Sequence, residues 1–157
     1  TLENLNLFLV GDLKYGRTVH SLLMAMSHFN TIYNFVSPEE LRIPEEYKMF
    51  LKEHKLKYKE HIDFTDIISE ADIIYMTRIQ RERFSDPMEY EKTKNSYMLR
   101  RDMLEDTKEN LKILHPLPRI NEINEDVDDS KQSYYFTQAL NGVYTRMAIM
   151  SSILGLK

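Results

Sequence analysis

The sequence predicts an α/β protein: a doubly wound, Rossmann-like parallel sheet flanked by helices, in a three-layer sandwich. Three observations predict it. Short apolar runs recur along the chain, segments with helical spacing lie between them, and no repeat, low-complexity tract or linker interrupts the alternation. A strand covered on both faces is apolar along its length, and helices between strands supply the crossovers that parallel pairing needs.

The first run, Leu5 to Val10, stops at Gly11 and reads as a buried strand. Gly16 to His28 places Val19, Leu22, Leu23 and Met26 at helical spacing. Thr31 to Val36 is the second strand, ended by Ser37-Pro38, and Pro44 to His54 is a helix with proline at its first position. Leu56 to Tyr58 is a short third strand and Phe64 to Ser69 a short helix. Asp72 to Met76 is the fourth strand, Tyr90 to Lys94 a helix end, Tyr97 to Leu99 a short strand and Arg100 to Asp106 a short helix. Leu111 to Leu114 is the last strand. The polar, acidic stretch Asn121 to Ser133 reads as a surface loop, and a long helix from about Tyr134 to Leu154 closes the chain. That helix is apolar on more than one face, so it is either a core helix or one that packs partly on a second domain.

The 157 residues suit one domain, 1–157, and 42% hydrophobic with 29% charged residues is a globular balance. The net charge of -4 argues against nucleic acid as a partner, and Lys52, Lys55, Lys57 and Lys59 are interrupted by Glu53 and Glu60. There is no cysteine, which excludes disulfides and thiolate metal sites and suits a cytoplasmic location. No apolar run approaches the roughly 20 residues of a membrane span. The chain starts at Thr1 without Met, a few residues before the first strand, so a domain boundary within a larger protein is expected there.

In an open parallel sheet, ligands bind beyond the carboxyl ends of the strands, where strand order reverses. The expected order sets the first strand beside the fourth. After the first come Gly11-Asp12-Leu13-Lys14-Tyr15-Gly16-Arg17-Thr18, and after the fourth Thr77-Arg78-Ile79-Gln80. Arg17 falls at a helix start, where backbone N–H groups and the helix dipole favour anions. Two guanidinium groups at one crevice suit a dicarboxylate or a phosphate, because Arg binds such groups in a planar, bidentate way. The blander reading is that each arginine pairs with a surface acid such as Glu82 or Asp86. The first loop lacks the G-x-G-x-x-G spacing, and there is no Gly-Lys-Ser/Thr, so nucleotide binding is disfavoured.

His115-Pro116-Leu117-Pro118 follows the last strand. Its two prolines stiffen a loop that either presents carbonyl groups to an amino or amide ligand or is a rigid exit turn. His115 is a candidate general base or a hydrogen-bonded structural histidine. His20 reads the same way, and His28, His54 and His61 share no metal-ligand spacing with acids, so no metal or cofactor is expected.

Gly11 to Ser21, Tyr75 to Arg83 and His115 to Arg119, in that order, resemble the aspartate domain of the aspartate carbamoyltransferases, and the resemblance runs from Thr1 to Lys157. The family transfers the carbamoyl group of carbamoyl phosphate to L-aspartate, giving carbamoyl aspartate and phosphate, an early step of pyrimidine biosynthesis. The resemblance implies that Arg17 and Arg78 hold the aspartate carboxylates with help from Gln80. It also implies that Pro116, Leu117 and Pro118 offer carbonyls to the carbamoyl nitrogen across a cis Leu117-Pro118 bond, and that Arg83 and Glu89 lock the domains closed. Ornithine-using relatives carry Cys in place of Pro116, and this chain has none. Asn121 stands where many members have Asp. The family's Ser-Thr-Arg-Thr phosphate loop and carbamoyl phosphate domain are absent from these residues, so no complete catalytic set is expected within them and little turnover by the chain alone. Full-length members form homotrimers, sometimes with regulatory chains. The alternative is a stand-alone aspartate- or dicarboxylate-binding module without catalysis.

Overall fold

The computed structural model describes residues 2–79, 84, 86–93 and 97–156, with the side chains of all of these except Glu89, Lys92 and Thr93. Five strands form one sheet: β1 Asn6–Val10, β2 Ile32–Val36, β3 Tyr58–His61, β4 Ile73–Met76 and β5 Lys112–Leu114, in the order β3-β2-β1-β4-β5. Every pairing is parallel, with Leu9 opposite Phe35 on one side and Tyr75 on the other. The order reverses at β1, which carries the first strand beside the fourth as expected.

The pleat sorts the core. Alternate strand residues point to opposite faces, so Leu7 and Leu9 pack with Val19, Leu23 and Met26 of α1 (Arg17–Met26) and Leu51 of α2 (Glu45–Glu53). Phe8 and Val10 pack on the other face with Ile74, Met76, Ile113, Leu99, Val127 and Tyr135. Tyr33 is fully buried and donates its hydroxyl to Leu23 O at 2.9 Å; burial pushes that hydroxyl far above the usual tyrosine range. The second layer is made less of helices than of 3-10 turns at Ile68–Glu70, Arg101–Leu104 and Glu125–Val127, joined by α3 (Pro87–Thr93).

Several expected elements shift. Pro44 is the N-cap of α2, not its first helical residue. The third strand starts at Tyr58 instead of ending there, because Lys55 turns left-handed (φ 57) and Leu56 packs toward the core before pairing begins. Leu99 makes one isolated bridge to Ile123, outside the sheet, and Phe64 to Ser69 yields only the 3-10 turn at Ile68–Glu70. The acidic loop is not simply superficial: Ile123 and Val127 are buried and close the second core.

α4 (Tyr135–Ile153) is the largest departure from a core reading. Its 19 residues span about 28 Å, and Tyr135 is its one buried side chain, while Phe136, Leu140, Val143, Met147, Met150 and Ile153 are exposed, the last by 79%. Its first turn is tied down by Arg119, which forks onto Asp128, reaching Oδ2 at 2.6 Å, and donates to the Tyr135 hydroxyl at 3.1 Å. No helix among the described residues is long and apolar enough to cross a membrane.

Candidate functional site

Three strand ends build the site. β1, β4 and β5 are neighbours, so the segments leaving their carboxyl ends converge on one cavity of about 290 Å³. Asp12, Tyr15, Gly16, Arg17 and Thr18 line it from the first segment, Thr77 and Arg78 from the second, and His115, Pro116, Leu117 and Pro118 from the third.

The first segment folds tightly for local reasons. Gly11 has φ +110, and a side chain there would lie 2.4 Å from Thr77 O. The backbone of β1 thus passes against Thr77, whose N–H and hydroxyl both donate to Val10 O, at 2.8 and 2.9 Å. Buried Asp12 accepts from Tyr15 N at 2.9 Å, an Asx-type turn. Gly16 sits where an added Cβ would meet Asp12 O at 2.4 Å, then caps α1 with no side chain across its first amides. Arg17 is the first residue of α1, is exposed, and has no ion pair among the described residues. Those uncapped amides and the positive end of the helix dipole add to its charge. His20 points away from this work: Nε2 lies 2.9 Å from Leu13 O and the ring stacks on Tyr47.

Arg78 is half-buried at the end of β4 and lines both this cavity and a small neighbouring one with Tyr90, Tyr97 and Asn121. Asp86, considered above as an ion-pair partner, accepts from Met88 N at 2.8 Å at the start of α3. Gln80 and Arg83 lie outside the described residues, as does the Glu89 side chain.

The third segment is held by side chains. The Leu117-Pro118 bond is cis and Leu117 has φ 50. Leu117 N donates to His115 Nδ1 at 2.8 Å, so the ring carries its proton on Nε2, which donates to Glu122 Oε1 at 2.8 Å. Both ring nitrogens are engaged and the ring is 2% exposed, which removes His115 as a general base and makes it structural. Burial tends to raise the Glu122 carboxyl, but the His115 hydrogen bond and the N–H groups of Ile120 and nearby backbone outweigh it and hold it below the usual range. Glu122 escaped sequence reasoning. The available signal was an acid seven residues beyond a histidine, across a proline-rich loop.

The arrangement offers two guanidinium groups and helix amides on one side and a carbonyl-rich turn on the other. It can hold a small molecule with negative charge at one end and N–H donors at the other. Among the described residues no cluster of three or more His, Asp or Glu could hold a metal ion.

Comparison with known proteins points the same way. The family model "Aspartate/ornithine carbamoyltransferase, Asp/Orn binding domain" matches residues 3–153. The chain is 65% identical to the aspartate carbamoyltransferase catalytic subunit of Bacteroides fragilis, over 99% of this chain and 51% of that one. It is equally similar to the Bacteroides thetaiotaomicron subunit, of which it covers 50%. Among solved structures, the catalytic subunit of M. jannaschii aspartate transcarbamoylase superposes with a TM-score of 0.92 at 46% identity, covering 98% of this chain and 50% of that one. Aspartate transcarbamoylase from Trypanosoma cruzi in complex with carbamoyl phosphate gives 0.86 at 30% identity, over 96% and 49%. The chain therefore spans about half the length of the relatives it matches.

Proposed function

The chain belongs to the Asp/Orn-binding domain family of aspartate/ornithine carbamoyltransferases, and from that premise we propose that it is the aspartate-binding half of a carbamoyltransferase. In this reading carbamoyl phosphate carbamoylates L-aspartate: the amino nitrogen attacks the carbamoyl carbon, the carbon–oxygen bond to phosphate breaks, and the nitrogen loses a proton. Arg17 and Arg78 take the two carboxylates as charge-assisted, bidentate pairs, with Gln80 assisting. The carbonyls of the Pro116-Leu117-Pro118 turn accept from the carbamoyl nitrogen. Arg83 and Glu89 act in domain closure.

The observation that carries the reading is the convergence of Arg17, Arg78 and the proline turn on one cavity at the switch point of the sheet. Two guanidinium groups favour a dicarboxylic amino acid over ornithine, whose side chain ends in a cation. Among the described residues of the cavity lining, these same arginines are the only guanidinium or ammonium groups that could clamp the phosphate leaving group. The other half of the polypeptide accordingly supplies phosphate binding and charge stabilisation, and packs on the exposed apolar surface of α4.

The test is formation of carbamoyl aspartate from carbamoyl phosphate and L-aspartate by the chain alone and with the carbamoyl phosphate half supplied. Turnover only in the second arm supports the reading. Full turnover by the chain alone would refute the half-site. Aspartate binding with no turnover in either arm would favour a stand-alone dicarboxylate binder.

A further inference from the structure

Four backbone N–H groups in and around the proline turn are taken by side chains. His115 N donates to Gln138 Oε1 at 2.9 Å, Leu117 N to His115 Nδ1 at 2.8 Å, and Ile120 N and Asn121 N to Glu122 Oε2 at 3.1 Å each. Pro116 and Pro118 have no N–H to offer. Among the described residues, no backbone N–H is donated to the carbonyls of residues 116–118. The turn is thus polarised: these four donors are fixed onto one imidazole, one carboxylate and one amide, and its acceptors are left for whatever enters the cavity. His115 and Glu122 are themselves joined at 2.8 Å and are 2% and 6% exposed, so the pair is almost closed off from solvent, His115 in the wall of the cavity and Glu122 in the wall of the small neighbouring one.

We propose that His115 and Glu122 are positioning residues that hold the Pro116-Leu117-Pro118 turn in the conformation that presents its carbonyls to the carbamoyl group. The inference rests on the functional reading above. A merely stabilising role explains it less well. Burying an imidazole and a carboxylate costs desolvation that an apolar pair of equal volume would avoid, whereas only acceptors placed on both sides of the turn can bind the N–H groups of residues 117, 120 and 121. The roles divide by atom. Nδ1 sets the middle of the turn, Glu122 Oε2 sets its exit, and the Nε2–H bond fixes the tautomer that leaves Nδ1 free to accept.

Two near-isosteric replacements separate these roles. In His115→Asn the side-chain oxygen falls near the Nδ1 position and restores an acceptor for Leu117 N in an Asx-type turn. In His115→Gln the amide reaches toward Glu122 and abandons Leu117. Hydrogen exchange at the Leu117 amide is expected to be slow in the parent and in His115→Asn, and about tenfold faster in His115→Gln. In carbamoyl transfer with the other half supplied, His115→Gln is expected to raise KM for carbamoyl phosphate about tenfold while KM for L-aspartate stays within about twofold, and His115→Asn to recover most of the loss. Glu122→Gln, which keeps the volume, provides the same test if His115→Gln does not fold. It should speed exchange at Ile120 and Asn121 and raise the same KM. Equal behaviour of His115→Asn and His115→Gln in exchange and in KM would overturn the proposal. A parent that transfers no carbamoyl group would overturn the functional reading, while the exchange pattern would still decide whether the pair holds the turn.

Discussion

At Gly11 the backbone leaves β1 with φ +110 and brushes Thr77 O, so two independent constraints exclude a side chain. Gly11→Ala is expected to destabilise the fold by at least about 2 kcal/mol in urea unfolding, from the positive φ together with the contact. Arg78 stands where β4 opens onto the cavity. Removing it in Arg78→Ala should weaken L-aspartate binding by about 2–3 kcal/mol, measured by calorimetric titration, because a charge-assisted contact to a carboxylate is lost; unchanged affinity would sink the aspartate assignment. Glu122 gives a pH prediction. Its folded-state value lies below the ordinary 4.5, so the stability it contributes is fully present above about pH 4.5 and is lost as pH falls through the lowered value. Asp128, held down first by its hydrogen bond to Arg119, behaves the same way below its ordinary 3.8. Thermal melts between pH 7 and pH 3 should show a shallower acid decline in Glu122→Gln than in the parent.

Among the elements, α4 and β3 diverge most from their sequence signatures. α4 is held at its first turn by the Arg119, Asp128 and Tyr135 network and then runs out with its apolar side chains uncovered. Met150 is 61% exposed. Met150→Lys should therefore leave the urea midpoint of this chain almost unchanged, within about 0.5 kcal/mol, yet reduce carbamoyl transfer when the other half is supplied, because a charge would be buried in the contact. A large loss of stability in the chain alone would show that α4 already packs on its own domain. β3 reads poorly in sequence because it is an edge strand: Lys59 and Glu60 face solvent, and the apolar signature of a central strand is missing. Central β1 is the converse, with Phe8, Leu9 and Val10 almost fully buried and an unmistakable apolar run.

For the molecule as a whole, the strand order decides where chemistry can occur. Because β1 lies between β2 and β4, the segments after β1, β4 and β5 meet on one side of the reversal, and the cavity forms there. The cores on the two faces share β1, so damage to it should propagate to both. Leu9→Ala, at a fully buried position, is expected to cost about 2–5 kcal/mol in global stability and to lower ligand binding only in proportion to the unfolded fraction. A loss of affinity in fully folded protein would mean instead that the strand ends shift with the core.

The sequence by itself determined the alternation of strand and helix, the parallel sheet, and the two arginines and the proline turn at its carboxyl edge, because burial on two faces and the chemistry of a strand end both leave local signatures. Only the tertiary structure decided that Glu122 and Gln138 hold the turn, that His115 has no nitrogen left to act as a base, and that α4 lies uncovered. Those facts depend on which groups meet across the fold. Residue type and spacing record the capacity to make a hydrogen bond or to bury a face, and the partner that meets that capacity is chosen only when the chain is packed.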